Sequence, residues 1–249
     1  MITFINKNNI FSNSQFGLRK DMSTESALID YVNKIQSGLN DHEYTISVLL
    51  DLSKAFDLMD HSILKIKLEH YGFRGNILNF IMNFLNNRHY FVNVNGLQSN
   101  KRSVKIGVPQ GSTLGPLLFL LYVNDMVNSS EILHFSQFAD DSTVTHSHTN
   151  LKYVVETVER EFRKVLTWLS TNRLIINLKK THLMVFTNRQ RPREITLKVI
   201  DSQITEVSES KILGIVIDNK LSWNSYIKYI ADKISKSSSI IRHLKYFSN

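Results

Sequence analysis

The chain contains no cysteine, which excludes disulfides and cysteine-ligated zinc without identifying a redox compartment. No run reaches the roughly 18 consecutive apolar residues of a membrane span. The polar stretch Asn6-Lys7-Asn8-Asn9 breaks up the N-terminus, so a secretory signal pattern is lacking too. Internal repeats and low-complexity tracts are absent. These gaps set the expectation of a soluble, intracellular protein without membrane contact. With 249 residues and 42% hydrophobic content, it can bury a core as one large domain or a domain plus appendage. Carboxylates run short in the C-terminal part, where residues 151–249 carry 18 Lys/Arg against 9 Asp/Glu, while residues 1–150 carry 12 against 13. Such a basic stretch fits a polyphosphate partner bound through counterion release, or simply a solvated face.

Proline and glycine are scarce as well, at three and nine, and they cluster. The segment Gly107-Val108-Pro109-Gln110-Gly111-Ser112-Thr113-Leu114-Gly115-Pro116 holds two of those prolines and three of those glycines. It lies between an isolated acid, Asp51, and the doublet in Phe138-Ala139-Asp140-Asp141. Carboxylates are the ligands hard divalent cations demand. Two of them ~4 Å apart repel by roughly 4 kcal/mol at an effective dielectric of 20, so three brought together make sense mainly around cations. Acid, shaped loop and acid doublet in that order suggest a template-directed nucleic-acid polymerase, because nucleotidyl transfer uses two metal ions to activate both reactants.

Local patterns place these residues. Residues 1–14, rich in Asn and Ser, read as a disordered lead. Ser23-Thr24-Glu25-Ser26 supplies an N-cap ahead of a helix carrying Ala27, Leu28, Val32 and Ile35. Residues 45–51 form a buried strand that ends on Asp51. Asp60 caps a helix with Ile63, Leu64, Leu68 and Tyr71, stopped by Gly72, and a second follows with Ile77, Phe80, Ile81 and Phe84. Tyr90, Val92 and Val94 alternate ahead of the hairpin signal Asn95-Gly96. Pro116 opens an apolar, buried helix through Val123. Two strands, 133–138 and 143–145, put the doublet at a hairpin tip. Leu151 to Leu169 is the clearest amphipathic helix. Strands follow at 174–177, 183–186 and 212–217, with Arg189 to Arg193 an exposed basic connection. The last helix carries Ile227, Ile230, Ala231, Ile234, Ile241 and Leu244. His146-Ser147-His148 reads as exposed loop chemistry without a third ligand.

The chain resembles the reverse-transcriptase domain of jockey-like non-LTR retrotransposons. Asp51-Leu52-Ser53-Lys54-Ala55-Phe56-Asp57 resembles that family's first catalytic motif, 107–116 its nucleotide-pocket motif, and 138–141 its second catalytic motif. Gln15-Phe16-Gly17-Leu18-Arg19 resembles a fingers segment, Asn177-Leu178-Lys179-Lys180-Thr181 the palm's lysine motif, and Lys211-Ile212-Leu213-Gly214-Ile215 the primer grip. The likeness runs collinearly from about residue 15 to 245.

The resemblance implies an α/β (α+β) right-hand polymerase palm, an antiparallel sheet backed by helices, with partial fingers and the start of a thumb. It divides the chain into 1–14 lead, 15–44 partial fingers, 45–208 palm with a finger insertion at about 73–106, and 209–249 primer grip and early thumb. Fingers and thumb look clipped, and elements of this kind carry an endonuclease upstream. By the same resemblance, Asp51, Asp140 and Asp141 hold two Mg²⁺ ions, with Mn²⁺ as a substitute, and the Leu52 carbonyl adds a ligand. Phe56 excludes a ribose 2′-OH, and Gln110 and Gly111 line the nucleotide pocket. Lys180, or adjacent Lys179, handles the pyrophosphate. Arg19 and Lys20 clamp triphosphate or template, and Leu213 and Gly214 form the primer grip. Implied partners are an RNA template, a DNA primer or nicked target DNA, and dNTPs, with the nucleus as the place of target-primed synthesis. A catalytically silent nucleic-acid-binding remnant and an RNA-dependent RNA polymerase stand as alternatives, the latter opposed by Phe56.

Overall fold

A computed structural model describes residues 1–86, 88–109, 111–190, 194–199 and 202–244. The N-terminal segment is folded, not a disordered lead: α1 (Ile2–Lys7) buries Ile5, and Phe11 follows it into the core. Asn124 fixes the stretch, accepting from the Ser12 N–H and donating to the Ile10 carbonyl, both at 2.8 Å. Two apolar anchors among polar neighbours give no periodic signal, yet they suffice to pin it.

Helix α2 (Thr24–Asn40) starts at the expected cap, where Ser23 Oγ accepts from the Ser26 N–H. Its buried stripe of Ala27, Tyr31, Ile35 and Gly38 meets β1 (Tyr44–Leu50). At Gly38 a Cβ would sit 2.2 Å from Thr45 Oγ1, so only glycine lets helix and sheet close there. Next come β2 (Leu52–Ser53), α3 (Ala55–Leu58), α4 (His61–His70) and α5 (Gly75–Leu85). Asp60 caps α4, accepting from the Ser62 and Ile63 N–H groups. On α5 the inner face is Leu78, Ile81 and Leu85, whereas Ile77 and Phe80, expected inside, are 42% and 61% exposed. Asn76, Asn79 and Asn83 form the opposite, polar stripe, so Ile77 and Phe80 fall on the flank of the buried face that meets α4.

A nested pair of ribbons follows, β3 (Arg88–Tyr90) with β6 (Arg102–Val104) and β4 (Asn93–Val94) with β5 (Leu97–Gln98). Asn95 and Gly96 turn it with positive φ, as the Asn-Gly signal requires. Helix α6 (Leu114–Val123) is buried from Leu117 to Val123, each leucine adding ~1.5–3 kcal/mol of burial. After β7 (His134–Phe138), β8 (Asp141–His148), α7 (Leu151–Thr171), β9 (Ile175–Ile176) and β10 (His182–Phe186), two hairpins and a helix end the order. They are β11 (Thr196–Val199) with β12 (Ser202–Thr205), β13 (Glu209–Ile212) with β14 (Ile215–Asp218), and α8 (Asn224–Leu244).

The central sheet is antiparallel throughout, in the order β10-β1-β8-β7. One face packs on α2 through Tyr31, Ile35, Leu49, Met184 and Phe186; the other buries Ile46, Val48, Val144, Leu183 and Val185 among residues of α6 and α7. Each edge strand carries a short parallel bridge, Gln15 to Gln137 on β7 and Glu206 to Leu183 on β10.

Two further expectations are corrected. His146, Ser147 and His148 belong to β8, where β1 supplies partners up to Tyr44. The strand expected at 212–217 is a hairpin, bent where Leu213 and Gly214 take φ of 47° and 86°. Helix α8 packs on β14 with Ile230 half-buried, while Ile227, Ile234 and Ile240 are exposed. Arg189 is exposed and donates to the Thr149 carbonyl; Arg191, Pro192 and Arg193 lie outside the described residues.

Candidate active site

The β1–β8 register pairs Leu49 with Thr143 and Leu50 with Ser142, so the next rung sets Asp51 across from Asp141. Both strands end there for local reasons. The Asp51 N–H donates to Thr181 Oγ1 at 3.3 Å, and its carbonyl accepts from the Asn177 N–H at 2.8 Å, so the β9–β10 connection holds the strand end. On the other side Phe138 pairs with Asp141, leaving Ala139 and Asp140 as a two-residue tip, with Ala139 at φ 57°.

These acids feel one another. The Asp141 carboxyl is pushed above the ordinary carboxylate range, chiefly by desolvation from partial burial and then by the negative charge of Asp140 and Asp51. A cavity of about 250 Å³ is lined by Asp51, Asp141, Lys180, His182, Ser210 and Lys211, among others, while Asp140, on the tip, is not part of its wall. Lys180 reaches this wall and Lys179 is not part of it. His182 Nδ1 and Ser210 Oγ share a 2.6 Å hydrogen bond, which ties β13 to β10. Sequence reasoning missed His182 and Ser210 as wall residues, and it quoted Lys211 as the first residue of the primer-grip motif without giving it a place at the acids.

The donor set here is all oxygen and sits beside two cations, which suits a hard divalent ion with a phosphate ligand. Among the described residues no group of three or more Asp, Glu or His side chains stands placed to hold a metal ion.

Leu52 lies next to Asp51 in β2, paired with Ile176. Phe56, on α3, stacks on Phe119 of α6 with centroids 4.4 Å apart, and its carbonyl accepts from the Val108 N–H at 3.0 Å. The Gly107 N–H donates to the Met59 carbonyl, and the Gly107 carbonyl meets His61 Nε2 at 2.8 Å. Residues 107–109 are thus clamped beneath α3, beside Phe56. Gly107 has φ +80°, and a Cβ there would stand 2.7 Å from the Asp57 carbonyl oxygen. Gly111 also has positive φ but nothing within 4 Å, so backbone conformation and not crowding by the protein calls for glycine. Gln110 lies outside the described residues.

Arg19 and Lys20 are not brought to the acid cavity. Arg19 Nη1 donates to the carbonyls of Ser12 and Gln15, and both residues line a small recess with α1. Leu213 and Gly214 form the β13–β14 turn, directly after Ile212 on the cavity wall. A roomier cavity of about 690 Å³ lies elsewhere, between α4 and residues 9–12, and lacks the acid cluster.

Comparison with known proteins decides the lineage. The model of the family described as reverse transcriptase (RNA-dependent DNA polymerase) matches residues 1–217. The chain belongs to the reverse transcriptase family. This reverse transcriptase is similar to the probable RNA-directed DNA polymerase from transposon X-element of Drosophila melanogaster, 26% identical over 94% of the chain and 26% of that relative. It is also similar to the RNA-directed DNA polymerase from mobile element jockey of Drosophila funebris, 27% identical over 86% of the chain and 24% of that protein. The chain therefore spans about a quarter of the curated relatives it matches. Among solved structures, telomerase from Candida albicans superposes with a TM-score of 0.59 at 14% identity, covering 89% of this chain and 37% of that one. Apo telomerase from Candida tropicalis gives 0.59 as well, at 14% identity over 90% of this chain and 38% of that one. These two neighbours share the fold of this reverse transcriptase. Among the described residues no helix is long and apolar enough to cross a membrane.

Proposed function

We propose that this reverse transcriptase domain extends a primer 3′ end by RNA-templated DNA synthesis, with dNTPs as substrates and Mg²⁺, or Mn²⁺ in its place, as cofactor. The observation that carries this reading is the ladder rung setting Asp51 across from Asp141, one residue from Asp140, in a groove walled by Lys180. Asp51, Asp140 and Asp141 hold the metal, with the Leu52 carbonyl as a further oxygen. When bound, the ions activate the 3′ hydroxyl and the triphosphate. Lys180 neutralises or protonates the departing pyrophosphate, with Lys211 as a second cation on the same wall. Phe56, held on Phe119 and against the Val108 strap, screens the ribose 2′ position, and Gln110 and Gly111 shape the nucleotide pocket. Leu213 and Gly214, on a tight turn next to the cavity, hold the primer end.

In this reading the four-stranded sheet with α6 and α7 is the palm, α2 and the β3–β6 ribbons belong to partial fingers, and α8 begins a thumb. The ribbons suit a template strand. Tyr90, Phe91, Val92 and Val94 are exposed beside Lys101, Arg102 and Lys105, and no carboxylate occurs between Glu69 and Asp125. Aromatic faces among uncompensated cations are what single strands bind. The DNA partner is a primer or nicked target, and work on chromosomal DNA places the step in the nucleus.

The test is extension of a DNA primer on an RNA template by the purified protein, compared with Asp51→Asn and Asp140→Asn. Extension should require the divalent ion and disappear in both variants while template binding persists. Salt-dependent binding with no extension by the wild type would turn the reading to a silent nucleic-acid-binding remnant.

A further inference from the structure

We infer that Gln15 is a positioning residue for the acid-bearing turn: its side-chain oxygen holds the Ala139 amide and so sets the conformation in which Asp140 and Asp141 face Asp51. This rests on the polymerase reading for its consequence, though not for its geometry. Gln15 is fully buried, and its Oε1 accepts from the Gly17 N–H at 2.8 Å and the Ala139 N–H at 3.1 Å. The main chain grips the same place, with the Phe16 N–H donating to the Gln137 carbonyl and the Gln137 N–H to the Ser14 carbonyl, both 2.8 Å. Ala139 adopts positive φ, a conformation an L residue keeps only when its surroundings impose it.

Gly17 makes the contact possible. A Cβ there would lie 2.7 Å from the Ala139 nitrogen and 3.0 Å from Gln15 Oε1, so any side chain would wedge the two segments apart. Meanwhile Gln15 Nε2 is buried without a partner. A residue serving packing alone would be apolar and spare that cost, so the amide is present for its oxygen. The turn also carries a load. Asp140 and Asp141 are adjacent and the next rung sets Asp141 across from Asp51, so repulsion of like charges works to spread the two-residue tip until cations neutralise it. A pin on the Ala139 amide opposes that motion before metal arrives.

The test compares Gln15→Met, which removes the acceptor at similar size, with Gln15→Glu, which when protonated in that buried site offers the same carbonyl oxygen. Three readouts are taken on the whole chain: hydrogen exchange of the Ala139 amide, Mn²⁺ binding by electron paramagnetic resonance, and primer–template affinity against extension rate. Gln15→Met should speed Ala139 exchange about 5-fold or more, the loss of one hydrogen bond. It should also weaken Mn²⁺ binding about 10-fold, the scale of a lost supporting contact, at unchanged primer–template affinity. Gln15→Glu should recover most of both. Unaltered Mn²⁺ binding in Gln15→Met overturns the inference, and so does loss of protection across the whole sheet together with template affinity. Should Gln15→Met not fold, Gly17→Ala, which crowds the same contact with Gln15 in place, is expected to give the same exchange and Mn²⁺ changes, and normal values there overturn it. A wild type that binds Mn²⁺ and primer–template yet never extends removes the polymerase reading, while exchange and Mn²⁺ binding still decide the role of Gln15.

Discussion

Asp51 stands one rung beyond the Leu50–Ser142 pair, opposite Asp141, so two strands meant to neighbour each other end by confronting like charges. The raised pKa of Asp141 means that the folded chain holds its proton more tightly than the unfolded chain does. Stability linked to that proton is full below the ordinary carboxylate range and is lost as pH rises through the raised value. Metal-free Asp141→Asn should therefore melt higher than the wild type at neutral pH, with the gain vanishing in acid. Adding Mg²⁺ should narrow the neutral-pH gap, because only the wild type gains a full ligand set. Melting curves at two pH values, with and without Mg²⁺, check this; a variant that melts lower at neutral pH without metal would contradict it.

Gly107→Ala meets the Asp57 backbone at 2.7 Å and a left-handed φ at once, and backbone cannot swing aside like a side chain. The expected loss is about 1–3 kcal/mol of stability. Urea unfolding measures it, and a midpoint equal to the wild type would show that the loop under α3 is looser than drawn.

Phe56→Val keeps a branched apolar group on Phe119 while opening the space beside residues 107–109. Ribonucleotide use relative to deoxynucleotide use should rise roughly 10- to 200-fold, the range one pocket contact commands. Single-nucleotide incorporation assays give the ratio directly, and an unchanged ratio would return Phe56 to core packing.

On the β3–β6 ribbons, Phe91→Ala should weaken single-stranded RNA binding by about 1–3 kcal/mol if bases stack there. Lys105→Ala should act differently, lowering the slope of log affinity against log salt by about 0.7. Fluorescence anisotropy at several salt concentrations separates the two, and full affinity in both variants would remove the template from this surface.

The acid strand and the doublet turn were legible because each is signalled within a few residues: an apolar run ending on Asp51, and apolar strands flanking Ala139-Asp140. Helix α6 was legible for the same reason, its burial being written all round it. What escaped was set by partners distant in the chain. Ile10 and Ser12 are held by Asn124 over a hundred positions away, and Gln15 touches Ala139 across 124 positions. The split at Leu213-Gly214 was hidden by the continuity of its apolar run, although the glycine marked it. His182 and Ser210 meet only because β13 docks on β10.

The two short parallel bridges bear on solubility. An antiparallel sheet ordinarily leaves its outermost strands with unpaired amides, a template on which another molecule can lay a strand. Here the Gln15 segment occupies the β7 rim near its acid end, and Glu206 crosses the β10 rim beside Leu183. Each outermost strand thus has one rung already taken by its own chain, which hinders a second copy from pairing along the full length of either rim.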